Sequence, residues 1–130
     1  MIVVDASLLI EVLAGDEMGD MVSARLAGRA GALVAPEVLD LEIIQALRRL
    51  VRSGRVSAAT ALEGFNVLED LRIERFSHAP LAHRIWEFRE NLTAYDAAYF
   101  ALAEMLDAPL WTRDAKFAGV PGASAAVHVL

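Results

Sequence analysis

The chain has 130 residues, 56% of them hydrophobic, no cysteine and a formal net charge of −6. That length suits one domain, residues 1–130, with its own core; the missing cysteines exclude disulfides and thiolate chemistry, and no apolar run reaches the ~18 residues that span a bilayer. Eighteen acids against twelve bases would also exclude a nucleic-acid partner if the charge were evenly spread.

The elements alternate between strand and helix signals. Ile2 to Asp5 predicts a strand that ends in an acid, and Ser7 is placed to cap a short helix through Leu8, Leu9, Ile10 and Val12 to Gly15. A helix follows over Glu17 to Leu26, and Ala32 to Ala35 predicts a buried strand. Pro36 suits the start of the next helix, which carries Val38, Leu39, Leu41, Ile43, Ile44, Leu47 and Leu50 and stops at Gly54. Ser57 to about Leu71 predicts a further helix, Arg72 to Phe76 a strand with one exposed face, and Pro80 a helix start. Thr93 caps a helix from Ala94 to about Leu106; Leu110 to Thr112 and Ala125 to Val129 predict two more strands, the second at a sheet edge. The fold class is α/β. Met1 leads straight into a strand without a basic start, so no signal peptide and a cytoplasmic location are expected. A mean hydropathy of +0.41 leaves an apolar surplus that a partner interface would cover.

Four acids stand in apolar surroundings: Asp5, Glu42, Asp96 and Asp114. Desolvating a carboxylate is costly unless a cation neutralises it, so acids converging on one place ask for a divalent ion. Asp5 and Asp114 fall at or just past strand ends, where open parallel sheets bind ligands. Each has a plainer role as well. Asp5 suits the helix cap, Thr93-x-x-Asp96 is a capping-box spacing, and Asp114 suits the cap of a short turn. Glu42 has Val38 and Ala46 one turn away on either side, hence no salt-bridge partner there. With these four facing a cation, fourteen acids remain against twelve bases. Arg48, Arg49, Arg52 and Arg55 cluster, and Arg113 and Lys116 flank Asp114, so a basic rim beside an acidic centre would suit a polyanion. His78, His83 and His128 lack metal-ligand spacing.

The segments Ile2-Val3-Val4-Asp5-Ala6-Ser7, Ala35-Pro36 followed by Leu41-Glu42-Ile43, Leu92 to Tyr99 with Leu102-Ala103-Glu104, and Leu110 to Asp114 resemble the successive motifs of PIN domains. More narrowly the chain is similar to the VapC-type toxins of bacterial toxin–antitoxin pairs. The resemblance implies a single PIN-like domain, an α/β/α sandwich with a mostly parallel central sheet. It implies an endoribonuclease whose acids Asp5, Glu42, Asp96 and Asp114 hold Mg²⁺ or Mn²⁺. One departure is Gln45, where many relatives carry Asn. A haloacid-dehalogenase-type phosphatase would need a second acid at position 7, which is Ser7, and a receiver domain an acidic pair that is missing.

In such a site a carboxylate-bound cation activates water and bridges a phosphoryl oxygen. Asp5 and Asp96 are expected as direct ligands; Asp114 completes the site or orients its waters; Glu42 ligates a second ion or steers the attacking water. Ser7 and Thr112 are expected to donate to the phosphate or to support the acids. Gln45 and Arg113 are assigned to the substrate side. The family further implies a small antitoxin in a groove formed by the helices at Glu17 to Leu26 and Val38 to Val51, an RNA substrate, a homodimer and a larger assembly with the antitoxin, with no membrane. The alternative is a catalytically inactive PIN module that binds metal and antitoxin.

Overall fold

Ile2, Val3 and Val4 are buried on both faces, the mark of a central strand in a parallel sheet. The computed structural model describes residues 1–29 and 31–130. This first strand, β1 (Ile2–Val4), lies between β2 (Leu33–Pro36) and β4 (Leu110–Thr112); β3 (Glu74–Phe76) and β5 (Val127–Val129) form the edges. The order is β3-β2-β1-β4-β5 and every pairing is parallel, with Val3 opposite both Val34 and Leu110. The chain winds outward from β1 to β3, then crosses to β4. The carboxyl ends of β1 and β4 therefore flank the point where the winding direction reverses, the usual place for a ligand crevice.

On one side α1 (Ala6–Ala14) contacts α2 (Glu17–Ala27), α3 (Val38–Arg52) and α4 (Ala58–Asp70); α5 (Ala82–Glu87) packs with α6 (Ala94–Leu106), which lies on β1, β2 and β4. Residues Ala97 to Ala103 of α6 are all buried, so this apolar, alanine-rich helix is the central one. Phe100 packs between Phe88, tilted at a ring-centroid distance of 5.7 Å, and Phe117, edge-to-face at 5.3 Å. Gly19 has a specific cause: a Cβ there would stand 2.2 Å from the Glu11 carbonyl oxygen, so only glycine lets α2 approach α1. No helix among the described residues is long and apolar enough to cross a membrane.

Three local expectations change. The α1 cap is Asp5, not Ser7, because the helix begins at Ala6 and Leu8 N–H donates to the Asp5 carboxylate. Pro36 ends β2 opposite Phe76 instead of starting a helix; α3 begins at Val38, whose N–H donates to His78 Nε2. Leu41 and Ile44 are exposed while Ile43 is buried.

Arg84 on α5 donates to both carboxylate oxygens of Glu104 on α6, at 2.6 and 3.1 Å, and to the Gly122 carbonyl at 2.7 Å. Ser124 N–H also donates to Glu104, so one carboxylate fixes the loop leading into β5. Glu104→Ala is expected to lower stability by ~2 kcal/mol, since a partly buried guanidinium and an amide lose their acceptor. Urea unfolding checks this; a change within experimental error would show that the loop is held by its apolar contacts instead.

Candidate functional site

Asp5 leaves β1 with its amide bonded to the Trp111 carbonyl, and the residue is 3% exposed. Thr112 Oγ1 donates to Oδ2 at 2.6 Å, Ser7 Oγ lies 2.9 Å from both oxygens, and Leu8 N–H donates to Oδ1 at 3.0 Å. Burial pushes the Asp5 carboxyl above its ordinary value; the bonds from Thr112, Leu8 and Ser7 pull it back in part, and the charge of Asp114 adds to the rise. Both hydroxyl hydrogens are thus committed to Asp5. Their oxygens accept in turn from the backbone of the loop after β4, Thr112 from Asp114 N–H at 2.9 Å and Ser7 from Arg113 N–H at 3.0 Å. One buried carboxylate therefore sets the path of the chain that carries Asp114.

Asp96 sits in the first turn of α6, where its own N–H donates to the Thr93 cap. Its carboxylate reaches outward to Lys116 Nζ at 3.1 Å. The same ammonium lies 3.3 Å from Asp114, whose other oxygen accepts from Lys116 N–H and caps the short 3₁₀ turn Ala115–Phe117. Asp114 thus caps the turn with one oxygen and shares the ammonium with Asp96 through the other. Burial is the largest single influence on the Lys116 ammonium and lowers it, but hydrogen bonding and charge from Asp96 and then Asp114 together outweigh it and raise its value.

Glu42, half-buried on α3, accepts from Tyr99 Oη at 2.6 Å. Burial raises its carboxyl, Tyr99 opposes this, and the charges of Asp96 and Asp5 raise it further while Lys116 lowers it. Tyr99 is pushed well above the ordinary phenol range by burial, then by the charge and hydrogen bond of Glu42. These mutual effects mean that the four acids share one electrostatic neighbourhood.

A carboxyl whose value rises on folding stabilises the native state most below its ordinary value, here 4.5, and loses that contribution as the pH climbs through the raised one. Glu42→Gln keeps an acceptor for Tyr99 and removes the charge. In EDTA the variant is expected to melt with the wild type at about pH 4 and above it at about pH 7.5. Equal melting temperatures at both pH values would remove Glu42 from the acidic neighbourhood.

Among the described residues no group of three or more acids or histidines is close enough to hold a metal ion as they stand. The donor chemistry nevertheless fits a hard divalent cation, because two carboxylates from separate elements already share one cationic group and two more lie within electrostatic reach.

Gln45 is exposed and lines the same cavity as Glu42, Arg49 and Tyr95. The Arg113 side chain turns away, donating to the Leu130 carbonyl and lying 3.9 Å from Glu11, so only its backbone joins the site. Arg48 and Arg52 line a different groove, between α3 and α4. Among the histidines, His78 caps α3 and His128 lies against Trp111. Tyr99 has no site role in the sequence reading, although it stands three positions after Asp96 and hence on one helix face with it. Lys116, expected on the basic rim, pairs with the acids themselves.

The PIN domain family model matches residues 2–123. Ribonuclease VapC1 of Mycobacterium tuberculosis is 40% identical over 121 residues, 92% of this chain and 90% of that protein. The crystal structure of Mycobacterium tuberculosis VapC20, a toxin that cleaves the sarcin-ricin loop, superposes with a TM-score of 0.71 at 18% identity, covering 93% of this chain and 95% of the other. A toxin–antitoxin complex from Klebsiella pneumoniae superposes with a TM-score of 0.69 at 18% identity, covering 99% and 97%.

Proposed function

The chain belongs to the PIN domain family, and on that premise we propose that it is the VapC-type toxin of a toxin–antitoxin pair, an endoribonuclease dependent on Mg²⁺ or Mn²⁺. The observation that carries the site assignment is the single ammonium shared by Asp96 and Asp114 beside the buried Asp5. Acids so arranged are held together by a cation.

Asp5, Asp96 and Asp114 would hold the ion, which when bound relieves charge on the phosphate and acidifies water. Ser7 and Thr112 keep the Asp5 carboxylate in one orientation through both of its oxygens. Glu42, with its raised carboxyl and its Tyr99 bond, is suited to take a proton from the water that attacks phosphorus as the P–O bond to the leaving group breaks. Gln45 and Arg49 line the approach for the RNA strand. We assign the chain to the cytoplasm and to a homodimer.

We place the antitoxin on α3 and α4 in preference to the expected pair of helices at Glu17 to Leu26 and Val38 to Val51. An apolar groove runs between α3 and α4, lined by Ile44, Leu47, Val51, Ala61, Leu62 and Phe65, whereas α2 packs on α1. Its flanking Arg48 and Arg52 suit an amphipathic segment with acidic ends.

Purified chain incubated with labelled RNA is expected to cleave it with Mg²⁺ or Mn²⁺ and not with EDTA; overexpression alone is expected to arrest growth, and co-expression of the genomic neighbour to relieve it. A soluble wild-type chain that neither cleaves RNA nor slows growth would favour the inactive binding module.

A further inference from the structure

Lys116 is the one basic side chain paired with two of the site acids among the described residues. Its ammonium is 3.1 Å from Asp96 and 3.3 Å from Asp114, although the side chain as a whole is 58% exposed. A long flexible side chain that could lie in water is instead turned onto two carboxylates. The pairing joins two elements, α6 and the short turn after β4. Asp96 is fixed by the Thr93 cap of α6, Asp114 by its amide bond to Thr112, and Lys116 by its own N–H on Asp114. The ammonium therefore sits where a cation bound by Asp96 and Asp114 would have to be. Both cannot occupy that place together, because like charges so close repel strongly.

We infer that Lys116 is the built-in counter-ion of the Asp96–Asp114 pair, that the divalent ion displaces it, and that the displaced ammonium becomes a ligand for the RNA phosphate. The inference rests on the metal-dependent reading above. Four carboxylates repel a polyanion, and a divalent ion offsets only half of that charge. Lys116 is attached two residues from Asp114, so once released it stays at the mouth of the site, where a phosphate approaching the ion must pass. Lysine suits this exchange, because three donors on a mobile stem can leave one pair of oxygens and take up another. The exchange couples the two ligands, since each divalent ion that binds must first break the two contacts of the ammonium, and each that does so frees a positive charge for RNA.

The test uses the full chain as wild type, Lys116→Met and Lys116→Arg. In EDTA, Lys116→Met is expected to melt several degrees below wild type, because two acids lose their shared cation. Isothermal titration with Mn²⁺ is expected to show roughly tenfold tighter binding to Lys116→Met, the competing state having been removed. Lys116→Arg is expected to stay near wild type. Anisotropy of a short labelled mixed-sequence RNA, with Ca²⁺ in place of the activating ion, is expected to show several-fold weaker binding to Lys116→Met. Wild type that binds Mn²⁺ while Lys116→Met binds it no tighter, or Lys116→Arg that tightens as Lys116→Met does, overturns the counter-ion. Unchanged RNA binding overturns the phosphate contact. Absence of Mn²⁺ binding in wild type and variants alike overturns the metal-dependent reading itself, and the inference with it.

Discussion

Asp96→Asn is expected to fold as the wild type does and to cleave RNA at least ~100-fold more slowly at saturating Mg²⁺ or Mn²⁺. The reason lies in which atoms do which work. The α6 cap is made by Thr93 Oγ1 and the backbone N–H of Asp96, and both survive the substitution. Its carboxylate makes one ion pair, with the largely exposed Lys116 at 3.1 Å, so the cost to stability is expected below ~1 kcal/mol. Turnover is different, because a neutral amide grips a hard divalent ion poorly and adds no charge to hold it. Asp5→Asn is expected to lose at least as much activity, but its carboxylate caps α1 and accepts from Ser7 and Thr112, so fold and chemistry fall together. Single-turnover cleavage and thermal melts of Asp96→Asn decide the point. Near-wild-type cleavage by a well-folded variant would return Asp96 to a purely structural place in the first turn of α6.

Thr112→Val is expected to cost ~2 to 4 kcal/mol of stability and to reduce cleavage at least ~10-fold. Thr112 is fully buried, and its hydroxyl does two things at once: it donates to Asp5 at 2.6 Å and accepts from Asp114 N–H at 2.9 Å. Valine fills the same volume without either bond. The amide of Asp114 then loses its partner and the Asp5 carboxylate loses its shortest hydrogen bond. Burial without compensation is the expensive case. Thr112→Ser, which keeps the hydroxyl, is expected to recover most of both losses. Urea unfolding and RNA cleavage of the pair provide the check. A valine variant as stable and active as the serine variant would mean that the hydroxyl does not organise the site.

The sequence alone carried the strand that ends in Asp5, the Thr93 cap with Asp96 one turn on, the α/β alternation and the edge strand near the end of the chain. Each is a short-range feature, set by hydrophobic periodicity or by side-chain capping within a few residues, so it can be read from neighbours. The sequence also marked Ser7 and Thr112 as supports of the acids, though not the route, since their joint hold on Asp5 spans more than a hundred residues. Only the tertiary structure could assign the strand order β3-β2-β1-β4-β5, which makes β1 and β4 neighbours and brings Asp5 to the loop of Asp114. It also decided that Tyr99 meets Glu42, that Lys116 spans Asp96 and Asp114, and that Arg113 turns away toward Leu130. The helix at Val38–Arg52 shows the division within one element. Its apolar residues outnumber the positions its buried face can take, so periodicity found the helix but contact with α1 and α4 decided that Ile43 goes inside and Leu41 out. Local pattern fixes which elements form; the closure of long loops onto one sheet fixes which residues meet, and no pattern within a few residues encodes that.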